Sequence, residues 1–384
     1  MGSVAKIGQK RVRSRENGAR EATRIAFVLP SMIGGGVERI RLVLMQGFID
    51  RGYEVDLVLS QKDGALIDLV PAGVTIVRLG QERFRNVIGP LRRYMRDRRP
   101  DVCIVSLWPL TALSVLARMG LRQAPRLILS DHNILSLQYR GAAATAVRLS
   151  LRATYARAEA RVGVSRDLAR DVARLASLNE AQVEVIHNPT PAHVRADAPP
   201  RAAADLWGPR VGKRILSVGT LKSFKNHALL IRAFAQIAAT SDATLAILGE
   251  GALRDALEQQ VRDAGLEGRV LLPGFEIAPR DWYATADLFV LSSDYEGFGN
   301  VLVEALHFGL PIVATRCCGG PEEILDGGRC GTLVPVGDAN AMAAAMLDAL
   351  DAPHEPERQR ARAVDFSVAR AVDAYEALVR RVLA

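Results

Sequence analysis

Short apolar runs alternate with amphipathic stretches along almost the whole chain. The runs have the length of buried strands, and between them apolar residues recur at helical spacing. Arg24–Leu29 is the first such run, and Val37, Ile40 and Phe48 mark the helix after it. This alternation predicts an α/β fold with parallel sheets. The predicted strands are 24–29, 52–59, 74–79, 102–106, 126–130, 161–164, 183–186, 214–218, 243–248, 270–273, 288–291, 311–314 and 332–336.

The chain of 384 residues is long enough for two domains. Residues 192–212 are rich in Ala, Pro and Arg without a sustained period, which predicts a linker. The end of the chain has the apolar spacing of an amphipathic helix. The predicted organisation is a disordered basic tail at 1–22, a first domain at 23–195, a linker at 196–212, a second domain at 213–365 and a C-terminal helix at 366–384.

A glycine-rich turn joins the strand at 288–291 to a predicted helix that ends before Gly309. Gly297 and Gly299, on either side of Phe298, have no side chains, so a ligand can approach the backbone closely. The first free N–H groups of the helix, around Asn300 and Val301, favour an anion. The turn therefore predicts a phosphate site.

Two carboxylates frame this turn. Glu296 comes just before it and Glu304 follows within the helix. Donors between two acceptors suit a ligand with phosphate in the middle and hydroxyl-bearing rings at both ends, such as a nucleotide-sugar. An ordinary β-turn-α unit with solvated glutamates is the alternative interpretation.

Glu296-x7-Glu304 around Gly-Phe-Gly, followed by GGPEEIL at 319–325, resembles the signature of retaining GT-B glycosyltransferases, in particular family 4. The resemblance covers about residues 24–383. It implies an α/β fold of two Rossmann-like domains whose parallel sheets face each other across a cleft, with the C-terminal helix packing back toward the first domain. It also implies that Glu296 holds hydroxyls of the donor sugar and that Glu304 holds the ribose of the nucleotide.

The same resemblance gives roles to residues of the first half. Gly35 and Gly36, in the loop after the first strand, would face the donor phosphates, although a tight turn without a ligand is the alternative. His132 follows the strand at 126–130 and would lie near the donor sugar as a catalytic residue. A purely structural histidine is the alternative here.

In the second half, the segment after the strand at 214–218 resembles the family's segment in which an arginine and a lysine neutralise the donor diphosphate. Lys225 matches the lysine of that segment, whereas Thr220 stands where an arginine is usual. Lys222 is near enough in sequence to replace the missing cation. The backbone near Phe275 would meet the nucleotide base.

The chain contains no D-x-D triplet, the pattern that holds a divalent metal in one class of sugar transferases. Loop N–H groups, a helix N-terminus and Lys225 would stabilise the departing diphosphate instead. We therefore expect no metal ion and no other cofactor. The family implies retention of anomeric configuration, either by a same-face mechanism in which Glu296 positions the sugar or by a double displacement.

Composition favours a soluble protein with large cores, at 49% hydrophobic and 24% charged residues. No apolar run approaches the roughly 20 residues that span a bilayer, and the first residues lack an apolar signal core. The four cysteines form no CxxC pair, which predicts no disulfide framework or zinc site. A cytoplasmic location is expected, either free or peripheral on the membrane's inner face.

Positive charge is concentrated in the first half. Residues 1–200 contain 31 Lys and Arg against 18 acidic residues, and the remainder 19 against 24. The segment Arg83–Arg99 reads as a basic amphipathic helix that either rests on an anionic membrane or packs one face into the core. A lipid-linked or saccharide acceptor is expected on this half. Few aromatics (5%) and no recognition motif exclude a nucleic-acid partner.

Two other functions remain open at the sequence level. One is a nucleotide-sugar epimerase or hydrolase of the same architecture. The other is a non-catalytic sugar-nucleotide-binding protein, for which the departure at Thr220 is the support.

Overall fold

The structure, a computed structural model, describes residues 22–61, 63–190, 200–277 and 279–384. All but the last residue of the predicted basic tail lies outside the described residues, as does the start of the predicted linker.

Two parallel sheets organise the chain. The first has seven strands in the order β3-β2-β1-β4-β5-β6-β7, and the second has six in the order β10-β9-β8-β11-β12-β13. The strands are β1 (Arg24–Leu29), β2 (Glu54–Leu59), β3 (Thr75–Arg78), β4 (Val102–Ser106), β5 (Arg126–Asp131), β6 (Ala160–Gly163), β7 (Glu184–Val185), β8 (Arg214–Val218), β9 (Thr244–Leu248), β10 (Val270–Gly274), β11 (Leu288–Leu291), β12 (Ile312–Thr315) and β13 (Thr332–Val334).

Helices cover both faces of each sheet, so the central strands are buried on both sides and read as continuous apolar runs. The helices are α1 (Gly36–Ile49), α2 (Ile88–Arg98), α3 (Leu110–Arg118), α4 (Leu135–Gln138), α5 (Gly141–Thr154), α6 (Arg166–Ala176), α7 (Ala203–Trp207), α8 (His227–Ala238), α9 (Arg254–Asp263), α10 (Arg280–Thr285), α11 (Asn300–Phe308), α12 (Pro321–Ile324), α13 (Ala339–Asp351), α14 (Pro356–Ala363) and α15 (Val368–Leu383).

The strand order reverses beside β1 in the first sheet and beside β8 in the second. Ligands of open parallel sheets bind outside the carboxyl ends of the strands at such a reversal. The loops after β1, β5, β8 and β11 leave their sheets there, which brings the predicted site residues to the side where the two sheets face each other.

The basic segment 83–99 is not one continuous helix. A short 3-10 turn, Phe84–Asn86, precedes α2, in which Pro90 occupies the first turn, where a missing N–H costs nothing. Leu91, Tyr94 and Met95 of α2 are buried in the first domain. The apolar face of the helix is therefore part of the core, and Arg93, Arg96 and Arg98 face solvent together with Gly89 and Asp97.

The predicted linker contains a helix. In α7, Leu206 and Trp207 are buried, and the Trp207 ring lies edge-on to Trp282 of the second domain, with ring centres 5.1 Å apart. The surrounding Ala and Pro concealed this short apolar pair at the sequence level, because five residues are too few to show a period.

The last helix, α15, packs on the first domain although it ends the chain. Val372, Tyr375 and Leu378 are buried in the same cluster as strands of the first sheet. At the edge of this contact, Arg51 forms ion pairs with Asp373 and Glu376. The chain thus crosses from the second domain back to the first. No helix of the described residues is long and apolar enough to cross a membrane.

Candidate functional site

A cleft of about 950 Å³ lies between the two domains. Every residue that the sequence assigned to the site lines it, from both sides. These residues are Gly35, Gly36, His132, Thr220, Lys222, Lys225, Phe275, Glu296, Gly297, Phe298, Gly299, Asn300, Val301 and Glu304. The structure thus brings these residues together in one cleft, whereas their roles in binding and catalysis stay predictions.

Glu296 is nearly buried beneath the cleft wall. Its Oε1 accepts a hydrogen bond from the Lys225 ammonium at 2.5 Å and another from the Ser293 hydroxyl at 2.7 Å. The two charges are therefore paired in a poorly solvated place, where each holds the other in position. The ammonium predicted to face phosphate lies against the carboxylate predicted to hold the sugar.

The turn before α11 brings the two domains together. A Cβ on Gly297 would lie 1.8 Å from the backbone oxygen of His132, so the close approach requires glycine. The Ser165 hydroxyl of the first domain donates to the Gly297 carbonyl oxygen at 2.7 Å. Gly299, with φ +99°, precedes α11 without a side-chain cap, which leaves the first amides of this helix available to an anion.

The glycine loop after β1 faces α11 across the cleft. A Cβ on Gly36 would lie 2.7 Å from Nδ2 of Asn300. Asn300 also accepts a hydrogen bond from Nδ2 of Asn188 at 2.9 Å, a second contact between the domains. The glycine loop of the first domain and the start of α11 in the second domain therefore lie against each other at the cleft.

One turn into α11, Glu304 is buried beside Tyr283. Burial, and then the charge of Glu304, raises the pKa of the Tyr283 phenol well above its ordinary value. Arg39 comes from the first domain, with its guanidinium carbon 5.9 Å from the centre of the Phe275 ring. Burial lowers the pKa of Arg39, and the charge of Glu304 opposes that shift.

Arg39 and its neighbour Glu38 line the cleft and were not predicted from the sequence. Burial raises the pKa of the Glu38 carboxyl. Both residues directly follow the glycine loop in the first turn of α1, and that position is the signal that could have identified them.

The loop after β8 supplies the cations of the predicted diphosphate site. Thr220 and Lys222 are both exposed at the cleft, and no described carboxylate pairs with Lys222. Lys225 is already held by Glu296. The uncommitted positive charge of this loop is therefore that of Lys222, whereas Thr220 contributes a neutral hydroxyl.

His132 follows directly on the end of β5 and is buried apart from its contribution to the cleft wall. Its Nε2 lies 3.0 Å from a guanidinium nitrogen of Arg41 and 3.1 Å from the Ser130 hydroxyl. Burial, with Arg41 as the second cause, lowers the pKa of His132 well below its ordinary value. The ring is neutral at physiological pH.

No group of three or more His, Cys, Asp or Glu side chains within the described residues is arranged to hold a metal ion. The expectation of a metal-independent reaction stays a prediction.

Two family models match the chain. One, described as Glycosyl transferases group 1, matches residues 212–352, and the other, Glycosyltransferase Family 4, matches residues 34–193. The two matches follow the division into two sheets.

Among curated proteins, one relative is the N-acetylgalactosamine-N,N'-diacetylbacillosaminyl-diphospho-undecaprenol 4-alpha-N-acetylgalactosaminyltransferase of Campylobacter jejuni. The two sequences are 43% identical over 130 residues, and this match covers 34% of this chain and 35% of that protein. A second relative is the lipopolysaccharide core biosynthesis glycosyltransferase LpsD of Rhizobium meliloti. The identity is 32% over 235 residues, and this match covers 60% of this chain and 66% of LpsD. The chain thus matches less than two thirds of the length of either relative.

Among solved structures, a glycosyltransferase from Rickettsia africae superposes with a TM-score of 0.79 at 16% identity, covering 95% of this chain and 99% of that one. HepE from Anabaena, solved in complex with UDP-glucose, superposes with a TM-score of 0.78 at 20% identity, covering 93% and 99%. Together with the two parallel sheets, these likenesses confirm the predicted fold class, two Rossmann-like domains in the GT-B arrangement.

Proposed function

This chain belongs to family 4 of the glycosyltransferases, and we propose that it transfers a sugar from a UDP-sugar to a hydroxyl of a lipid-linked or polysaccharide precursor. The transfer retains the anomeric configuration and needs no metal ion. The observation that carries the proposal is the position of Glu296 and Glu304 in one interdomain cleft, with the uncapped N-terminus of α11 between them.

Donor binding follows from this arrangement. The diphosphate lies against the first amides of α11 and beside Lys222, because a helix N-terminus and a free ammonium both favour anions. The ribose hydroxyls reach Glu304, and the base lies toward Phe275 and Arg39. The UDP-glucose complex of HepE supports this choice of donor, since that protein shares the fold.

The chemical step depends on stabilising the departing diphosphate. As the bond between the anomeric carbon and the phosphate oxygen breaks, charge develops on that oxygen, next to the α11 amides and the loop lysines. The same oxygen takes the proton of the acceptor hydroxyl, which attacks from the same face of the sugar. Glu296 positions the sugar hydroxyls, since its Oε1 is already engaged by Lys225 and Ser293.

The acceptor lies on the first domain. This half carries the excess of positive charge, which suits a diphosphate-linked lipid or a phosphorylated saccharide. The named substrate of the Campylobacter relative is a diphospho-undecaprenol, and LpsD is named for the lipopolysaccharide core. Both names agree with an acceptor from cell-envelope synthesis.

Contact with an anionic membrane is part of the proposal, in electrostatic form only. The apolar residues of α2 are buried, so this helix does not insert into lipid. Its exposed arginines, with Arg83 and Arg85 before it, offer a charged surface. Sedimentation with anionic vesicles that disappears at high salt would support this contact, whereas binding that resists salt or is absent at low salt would contradict it.

The function is tested by incubating the protein with a panel of nucleotide-sugars and a lipid-linked acceptor fraction. We expect sugar transfer, and an anomeric configuration in the product equal to that of the donor, read from proton NMR couplings. An inverted product would contradict the mechanism. Conversion of the donor without acceptor would instead identify an epimerase or hydrolase.

A further inference from the structure

Arg41 of α1 is a buried arginine with no carboxylate partner among the described residues. Its side chain is 0% exposed, its Nε donates to the Ser106 hydroxyl at 2.9 Å, and one terminal nitrogen contacts His132. The guanidinium carbon lies 5.3 Å from the centre of the Tyr375 ring of α15. A buried cation is costly, and the usual compensation is an acid. Here the neighbours are a hydroxyl, a neutral imidazole and two aromatic rings, those of Tyr375 and Phe27.

The contact with Arg41 determines which nitrogen of His132 carries the proton. A guanidinium has only donors, so the His132 Nε2 at 3.0 Å accepts and has no hydrogen. The neutral ring must then carry its proton on Nδ1. The Ser130 hydroxyl lies 3.1 Å from the same Nε2 and 3.1 Å from the Tyr375 hydroxyl. The two hydroxyls therefore form a short hydrogen-bonded chain that ends at Nε2 of His132.

The electrostatic surroundings of the ring are uniform. Arg41 from α1 is the charged group that acts on His132, and Ser130 of β5 also contacts the ring. Ser106 of β4 contacts Arg41, and Tyr375 of α15 contacts Ser130. Within the described part of the chain, no carboxylate forms a hydrogen bond with the ring. Nothing near the ring therefore favours the doubly protonated form.

The Nδ1 of His132 is buried and has no hydrogen-bond partner in the described part of the chain. The residue lines the cleft next to Gly297, whose missing side chain permits the close approach. A buried donor without an acceptor costs free energy, and such groups in native proteins usually have a function. A hydroxyl of a ligand in the cleft would supply the missing acceptor.

We propose that Arg41 is a positioning residue, which holds His132 as a neutral ring with its proton on Nδ1 and so directs one hydrogen bond at a hydroxyl of the donor sugar. The positive charge of Arg41 behind the ring polarises this N–H and strengthens the hydrogen bond. His132 then acts as a fixed donor and transfers no proton. The proposal rests on the proposed function only for the identity of the ligand.

The tautomer is measured on the whole protein without a substrate. Long-range proton–nitrogen NMR of histidine-labelled protein, with the His132 signals assigned by the His132→Asn variant, distinguishes protonated from unprotonated ring nitrogens. We expect a protonated Nδ1 and an unprotonated Nε2 that do not change between about pH 6 and 8, where a free imidazole titrates. A proton on Nε2, or titration in this range, would overturn the proposal.

The role of Arg41 is tested by Arg41→Met, with Arg161→Met as the matched control. Arg161 is also a buried arginine of the first domain, but it bonds the backbone oxygens of Tyr155 and Ala158. In Arg41→Met we expect the ring to stay neutral because it stays buried, but the proton to appear on Nε2, which can then donate to the Ser130 hydroxyl; in the control we expect the wild-type tautomer. If both variants behave alike, Arg41 has no positioning role. The wild-type spectrum decides the tautomer even if Arg41→Met does not fold.

Replacement of His132 tests the direction of the hydrogen bond. The amide nitrogen of Asn can take the place of Nδ1, whereas that of Gln lies nearer the place of Nε2. We expect His132→Asn to keep about tenfold more kcat/KM than His132→Gln or His132→Ala, with a flat pH profile. Equal loss in all three, with an acid limb in the wild-type profile, would overturn the donor role. Absence of any nucleotide-sugar binding would reject the proposed function but leave the tautomer result standing.

Discussion

Glu296 accepts hydrogen bonds from Lys225 and Ser293 on the same carboxylate oxygen, in a nearly buried position. These two donors fix the carboxylate before a ligand arrives, which lowers the cost of orienting the sugar. The pair could not be predicted from the sequence, because 71 positions separate Lys225 from Glu296 and only the packing of β8 beside β11 brings them together.

Removing this carboxylate tests its role. We expect Glu296→Ala to lower kcat/KM by about a hundredfold, because the sugar loses its orientation and Lys225 loses its partner. Initial rates of sugar transfer measure the effect. Glu357→Ala is the control, since Glu357 is exposed and, among the described residues, pairs with its helical neighbour Arg360 alone. A Glu296→Ala variant as active as the control would remove Glu296 from the site.

Asp131, the last residue of β5, is buried, and its Oδ1 accepts a hydrogen bond from the Tyr155 hydroxyl at 3.0 Å. Burial raises the pKa of its carboxyl from 3.8 to about 7. The folded protein therefore keeps this acid protonated over a range in which the unfolded chain ionises it. Because the unfolded chain loses this proton first, the free energy of unfolding falls as the pH rises from about 4 to about 7. At about 1.4 kcal/mol per pKa unit, the loss is about 4 kcal/mol in all.

The Asp131→Asn variant lacks this titration. We expect its melting temperature, relative to the wild type, to increase as the pH rises from about 4 to about 7 and to stay constant above that. Calorimetry at a series of pH values measures the difference. A difference that is independent of pH would show that Asp131 does not titrate in this way.

Among the elements, the turn into α11 does most to assemble the cleft. The sequence predicted it correctly because its pattern is local: a strand, two glycines, two carboxylates with seven residues between them and a helix. The sequence could not show that this turn is pressed against the backbone of His132 in the other domain. That contact depends on how the two domains pack.

A methyl group at Gly297 would disturb this packing. Because its Cβ would lie 1.8 Å from the His132 carbonyl oxygen, Gly297→Ala forces the turn and the first domain apart. We expect kcat/KM to fall by more than about tenfold, since small displacements of reacting groups are costly. Gly89→Ala in α2 is the control, because nothing lies within 4 Å of its added Cβ. Equal activity of the two variants would contradict the close approach.

Across the whole molecule, the strand pattern predicted both sheets, and no strand end differs from its predicted position by more than two residues. The residues behind the site were beyond prediction. Arg41 and Tyr375 lie at opposite ends of the chain and meet because α15 returns to the first domain. The last helix thus supports the wall of the cleft that contains His132.

The return of α15 makes the stability of the first domain depend on the end of the chain. Leu378 is 1% exposed, and we expect Leu378→Ala to cost about 2–5 kcal/mol and to lower the melting temperature. Leu383→Ala is the matched control, since Leu383 is 38% exposed on the same helix. Thermal unfolding followed by circular dichroism measures both. Equal melting temperatures would show that α15 does not stabilise the first domain in solution.

Binding of a sugar nucleotide in the cleft is the central claim, and ligand-dependent thermal stabilisation tests it most directly. At a hundredfold excess over Kd, a ligand adds about 2.7 kcal/mol to the free energy of unfolding. In a panel of nucleotide-sugars we expect a UDP-sugar to raise the melting temperature of the wild type, and Glu304→Ala to lose most of that increase. If no nucleotide-sugar stabilises the protein, the cleft does not bind such a donor.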